Sequence, residues 1–214
     1  MALALIRSGQ LYAWRGPSLL VVSPRGECGA DEPLSGYYFR EARFLRTLRL
    51  EVNGRVPWPC EATLVAPHLL AFTYIYPELT EFGGGGSGQS GDDESLDADG
   101  IPHRALSLRA VHSVGVAGLS VALTITNHTT RGIEADLAWH VDADFADIQE
   151  AHAGAREQQA PVQRLIDGCQ LHFTYQHSQL NYQATVSPGS LSPWRHHRRG
   201  SKGPRFFFLI CRER

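Results

Sequence analysis

The sequence predicts an all-β protein, a supersandwich-like antiparallel β-sandwich of roughly ten or more strands, and three observations carry that prediction. Apolar residues recur at every second position in one segment after another. The alternating segments are parted by short polar breaks such as NHTTRG, and helical periodicity is almost absent. At 214 residues the chain is long enough to bury one sizeable core.

Taken in order, FLRTLRLEVNG alternates through Leu48, Leu50 and Val52 and stops at Asn53-Gly54, the strongest short hairpin signal. GLSVALTITN sets Leu119, Val121, Leu123 and Ile125 on one face against Ser120, Thr124 and Thr126. IEADLAWHV alternates Ile133, Ala135, Leu137, Trp139 and Val141 with Glu134, Asp136 and His140. In CQLHFTY, Cys169, Leu171, Phe173 and Tyr175 share the inward face. The one helical candidate is DIQEAHAGAREQQ, and its internal Gly154 limits it to a turn or two.

A sandwich domain is therefore expected over 1–187, interrupted by EFGGGGSGQSGDDESLDADG at 81–100. That stretch joins a Gly/Ser run to an acidic run and reads as a disordered loop. No lysine-serine or lysine-threonine pair follows the glycines, so a phosphate cradle is not indicated. Loop closure depends only logarithmically on length. Excising residues 83–100 is therefore expected to change stability by under ~1 kcal/mol in a denaturant titration. From 188 to 214 the chain is basic and rich in Pro and Arg, then apolar through FFFLI without alternation. A basic tail, a terminal strand and an out-of-frame end are all open there.

The formal net charge of −2 argues against general nucleic-acid affinity. No apolar run of ~18 residues offers a membrane span, and Arg7 and Gln10 interrupt the N-terminal apolar stretch where a signal peptide would need continuity. Cys28, Cys60, Cys169 and Cys211 show no paired spacing and read as reduced, mostly buried thiols. A cytoplasmic protein without a cofactor is expected, in which the NHT at Asn127 is no glycosylation site. No Gly-x-Ser-x-Gly turn occurs to mark a serine nucleophile. Of Trp14, Trp58, Trp139 and Trp194, Trp139 falls on an apolar face and reads as core. Trp58, between two prolines, is the freest to stack on a sugar.

The segment richest in chemistry is HVDADFADIQEAHAG, 140–154, where Asp142, Asp144, Asp147 and Glu150 follow His140. Strand geometry puts His140, Asp142 and Asp144 on one face. Their i, i+2, i+4 spacing makes them weak candidates for a divalent metal, with Asp147 and Glu150 as further oxygen donors. Asp142 and Asp144 would stand ~6.5–7 Å apart at the backbone, within the ~5–9.5 Å window of glycosidase carboxylate pairs. Crowded acids on a strand end do not, however, create the asymmetry that keeps one of them protonated. The reading preferred here is structural, with Asp147 as N-cap of the IQEAHA turn and arginine forks holding the acids.

Two stretches resemble a known family. GYYFREARFLRTLRLEVNG, 36–54, is similar to the G-L-F-x-R-D-T-R-F-L-S-x-L-x-L-x-V-N-G pattern in the N-terminal domain of bacterial amylo-α-1,6-glucosidases, the glycogen debranching enzymes. DFADIQEAHAG, 144–154, is similar to that domain's D-F-A-D-I-F-E-V-R-G, and the two occur in the family's order. The likeness runs from about Gly9 to Ser187. Two departures stand out. Glu41-Ala42 replaces Asp-Thr, and the arginine of the second pattern is displaced, with Arg156 as its candidate replacement.

The resemblance implies a β-sandwich that is not itself catalytic, because the family's hydrolysis is assigned to a C-terminal helical toroid of several hundred residues. An α-glucan of the glycogen type and such a toroid domain or chain are the implied partners. Arg40, Glu41 and Arg43 of the first motif would clasp Asp144, Asp147 and Glu150 of the second, or these residues would touch glycan directly. A stand-alone glycan-binding or scaffolding module, and a self-sufficient hydrolase using the 140–154 cluster, are the rival readings.

Overall fold

The structure, a computed structural model, describes residues 9–29, 32–78, 96–157 and 159–188, together with the backbone of a strand at 203–213. Among them are fourteen strands and one short helix. The first seven strands are β1 (Leu11–Arg15), β2 (Ser18–Val22), β3 (Gly36–Phe39), β4 (Ala42–Leu45), β5 (Thr47–Val52), β6 (Trp58–Ala66) and β7 (Leu69–Tyr76). There follow β8 (Leu106–Val114), β9 (Gly118–Asn127), β10 (Leu137–Asp142) and helix α1 (Ile148–Ala153). The chain closes with β11 (Val162–Asp167), β12 (Gln170–Tyr175), β13 (Tyr182–Pro188) and β14 (Gly203–Glu213).

Every pairing between these strands is antiparallel. One sheet has the order β1-β2-β3-β4, a second joins β10 to β5, and the third runs β11-β12-β13-β14-β9-β8-β7-β6. Ala13, Leu20, Tyr37 and Phe44 of the first sheet share one core with Leu50 of the second and Phe72, Leu108 and Phe173 of the third. The all-β sandwich is thus observed. Its driving force is the inward-facing set, at about 1.5–3 kcal/mol for each large side chain fully buried. In β9 the alternation holds as expected: Leu119, Val121, Leu123 and Ile125 are buried and the residues between them are not.

Turn chemistry also appears where the sequence places it, but it joins different strands. Asn53 and Gly54, at φ 49° and 71°, form the two-residue loop in which both central residues take positive φ. Val52 and Arg55 exchange both backbone hydrogen bonds across it. The pairing stops there, because β5 takes β10, more than eighty residues away, as its partner. Arg40, at φ 56°, opens the β3–β4 loop with Glu41 beside it, and its N–H donates to the Pro17 carbonyl.

Four expectations change. The strand read from Ile133 begins only at Leu137, since the chain before it is occupied by a turn around Asn127 and Arg131. Cys169 lies in the β11–β12 turn beside Gly168 and is exposed, as is Cys60 on β6, so Cys28 alone of the described thiols is buried. The segment 203–213 is a strand, and it inserts between β13 and β9. The sheet therefore does not end at residue 187. The glycine-rich part of 81–100 lies outside the described residues. Its last five residues, however, are fixed: Leu96 bridges to Pro102, Asp97 and Asp99 pair with Arg55, and Asp99 also takes Asn53. The excision expected to be neutral is accordingly the one that stops at residue 95.

Candidate functional site: an arginine-locked acidic motif

The residues from 142 to 148 run antiparallel along the outer edge of β4. Arg46 N–H donates to Asp142 O, Phe145 N–H to Arg43 O, Arg43 N–H to Ala146 O, and Ile148 N–H to Glu41 O. The two motifs singled out in the sequence are thus laid side by side, backbone to backbone. This edge strand is not regular. Phe145 stands at φ 54°, which a bulky residue rarely adopts and which costs on the order of 1–3 kcal/mol. The kink sends Phe145 into the main core, where it meets Phe44 edge-on at 5.2 Å and lies near Tyr182. Ala146 turns to the opposite side of the sheet and packs with Val21, Tyr38 and Ala151 of α1.

Trp139, Val141, Ala143 and Phe145 all pack in or against the main core, and His140, Asp142 and Asp144 alternate with them along the chain. Arg43 Nε and Nη2 then reach the two oxygens of Asp144 at 3.0 and 2.6 Å, a two-pronged fork, with side chains only 9% and 14% exposed. The remaining Arg43 nitrogen donates to the Pro33 and Ser35 carbonyls at 2.6 and 3.2 Å. Burial alone would lower the Arg43 pKa. The Asp144 hydrogen bond and charge, with Tyr38, outweigh it and the net shift is upward. Tyr38, buried beside the fork, is itself pushed up to about 12 and keeps its proton, which it donates to the Leu34 carbonyl.

Asp147 caps α1. Its Oδ1 accepts from the Gln149 and Glu150 N–H groups at 2.7 and 2.8 Å, and Glu150 Oε2 accepts from Asp147 N–H at 3.2 Å. This is a reciprocal capping box. Gly154, at φ 69°, ends the helix in the left-handed conformation, with its N–H on Glu150 O. Glu150 is buried, and its Oε1 also accepts from Glu157 N–H at 2.6 Å. Arg156 lies 3.2 Å from Glu150 Oε2 and 3.9 Å from Asp144 Oδ2, and it donates to Tyr175 Oη at 3.3 Å. The displaced arginine thus stands between the two acids. Arg43 and Arg156 together balance Asp144 and Glu150, as burial of charge requires.

The other members are placed apart from this knot. Arg40 lies over the Phe39 ring at 5.5 Å, and Glu41 joins through its backbone carbonyl while its side chain faces solvent. His140 Nε2 donates to Glu51 Oε2, 2.7 Å away across the β5–β10 ladder, and that hydrogen bond holds Glu51 below the usual carboxylate range. Asp142 accepts from Arg164 at 2.7 Å. Among the described residues no three His, Cys, Asp or Glu side chains gather as metal ligands, and no helix is long and apolar enough to cross a membrane. The Arg164–Asp142 and His140–Glu51 pairs were not foreseen. The His140–Glu51 pair depends on the β5–β10 register, which no local pattern encodes.

An antiparallel β-sandwich domain whose acidic motif is locked by arginines is the class of protein that the fold and site define. A family model described as the N-terminal domain of (some) glycogen debranching enzymes matches residues 14–199. The chain belongs to that family. No curated protein matches it.

Proposed function

We propose that the chain is the non-catalytic accessory domain of a debranching-type amylo-α-1,6-glucosidase, which packs on a helical toroid catalytic domain or positions an α-glucan for it. The supporting observation is that each acid of the 140–154 motif already has a fixed partner. Asp144 meets Arg43 and Arg156, Asp142 meets Arg164, and Asp147 and Glu150 hold the helix start. Glycoside hydrolysis needs an acid and a carboxylate facing one sugar, one of them kept protonated by an apolar wall. A guanidinium beside both Asp142 and Asp144 is the opposite surrounding. A cytoplasmic site of action goes with this reading, and the unpaired Cys28, Cys60 and Cys169 are compatible with a reducing compartment.

The test is glucose release from a branched limit dextrin by the purified chain, with Asp142→Asn and Asp144→Asn alongside. No release by any of the three is expected. Turnover by the wild type that both substitutions abolish would make the cluster an active site and reject the accessory role.

A stand-alone glycan-binding module is the second reading, favoured by Trp14 and Trp58, which are 51% and 48% exposed. Such rings offer apolar faces to sugars. Migration in a native gel containing glycogen tests this surface: retardation that Trp14→Ala or Trp58→Ala removes would establish a glycan contact there, and no retardation would reject the binding module.

A further inference from the structure

The two edges of the eight-stranded sheet are built differently. At one edge, β6 is guarded: Pro57 and Pro59 flank Trp58, and its pairing with β7 slips twice, at Pro59/Glu61 and at Leu64/Ala66. Prolines and bulges are the devices by which natural sheets keep an edge from recruiting another strand. At the other edge, β11 carries no bulge and no proline within the strand, Pro161 standing just before its first residue. Its six residues pair with β12 in unbroken register, and no strand among the described residues lies on its outer side. Beyond Val162 every residue of β11 is exposed, with Leu165 at 58% and Ile166 at 76%. An edge that is regular and presents exposed apolar side chains is a template for a further strand of matching charge.

We infer that β11 is a homodimer interface, at which two copies of this chain pair β11 against β11 antiparallel about a two-fold axis. The sequence VQRLID selects the occupant. A two-fold axis perpendicular to the sheet keeps each face on its own side, so residues of like parity must meet. Centring the pair on Leu165 sets Leu165 against its copy and Gln163 against Asp167 of the second copy. The Gln163 carbonyl already accepts from Gln176 at 3.1 Å, which leaves its amide N–H groups to donate to that carboxylate. Asp167 has no ion-pair partner among the described residues, so the contact satisfies both groups. On the other face Ile166 meets the aliphatic stem of Arg164, whose guanidinium is already held by Asp142 at 2.7 Å. Centring on Arg164 would oppose two like charges. Centring on Ile166 would set Leu165 against a carboxylate and run into the turn at Gly168. Opposed pairs of this kind are the stabilising unit of a sheet, and the contact is isologous, as closed dimers require.

The experiment is the solution mass of the whole chain by light scattering on a sizing column. The expected mass is twice the 23.6 kDa of one chain. Leu165→Lys and Ile166→Lys should each halve it while leaving the far-ultraviolet spectrum unchanged, because both side chains are exposed in one chain. Leu64→Lys on β6 should leave the mass doubled. For the register, Leu165→Cys in a Cys60→Ser, Cys169→Ser background should form a covalent dimer on mild oxidation that the background alone does not form. A wild type that is monomeric at every concentration overturns the proposal. So does a dimer that survives both lysine substitutions, one that Leu64→Lys breaks, or one that Leu165→Cys leaves uncrosslinked.

Discussion

Arg43→Ala is expected to destabilise the chain by about 3–5 kcal/mol, the range for removing one partner of a buried ion pair. Asp144 would keep only the more distant Arg156, at 3.9 Å, and the Pro33 and Ser35 carbonyls would lose their donor. Denaturant unfolding at neutral pH measures the loss. Asp144→Ala, and the double variant with it, should show strong coupling, the double costing clearly less than the sum of the singles. Arg43→Lys keeps the charge but not the fork, since an ammonium is a point donor. It should forfeit one charge-assisted hydrogen bond, about 1.5–3 kcal/mol. A loss under about 1 kcal/mol for Arg43→Ala would mean that the fork is a solvated surface pair, and that the two motifs are held by the backbone bonds along β4 alone.

The second large effect is set by His112. Its side chain is fully buried on β8, its ring packs on Phe72 with centroids 4.9 Å apart, and among the described residues neither ring nitrogen has a hydrogen-bond partner. Burial pulls its pKa down to about 4, so the folded chain holds a neutral imidazole. In the unfolded chain the same group titrates near its ordinary value of ~6.5. Between those two values the unfolded state binds a proton that the folded state refuses, so stability rises with pH across the window. The contribution is intact above about pH 6.5. It is lost progressively as pH falls toward 4, by on the order of 3 kcal/mol in all at 1.36 kcal/mol per pKa unit. His112→Leu should remove that slope. It should also raise stability at neutral pH by about 1 kcal/mol, because an unsatisfied buried N–H is replaced by apolar volume. Denaturation midpoints of both proteins from pH 4 to 7 provide the comparison; parallel curves would show that His112 is hydrated or paired in solution.

Both effects show where the sequence could be read and where it stopped. LSLRAVHSV alternates Leu106, Leu108, Ala110, His112 and Val114 inward, so the burial of His112 was legible. The absence of a partner was not, because the groups around a core position come from other strands. The Asp147 cap was legible for the same local reason: an N-cap acts on amides two and three residues ahead. Arg43 beside Asp144 was suggested by the need of buried acids for cations. The fork geometry rests on the register of 142–148 along β4, and neither that register nor the positive φ of Phe145 is announced by any residue type.

By itself, then, the sequence determined the β class, the inward rows of β8 and β9, the Asn53-Gly54 turn and the α1 cap. All of these depend on backbone sterics and side-chain periodicity within a few residues. Tertiary structure decided that β5 pairs with β10, that 203–213 enters the sheet between β13 and β9, and that Asp144 is the acid Arg43 forks. Several strands with the same alternation are interchangeable to their neighbours at short range. The choice among them is made by burying every inward face at once and by answering each enclosed charge.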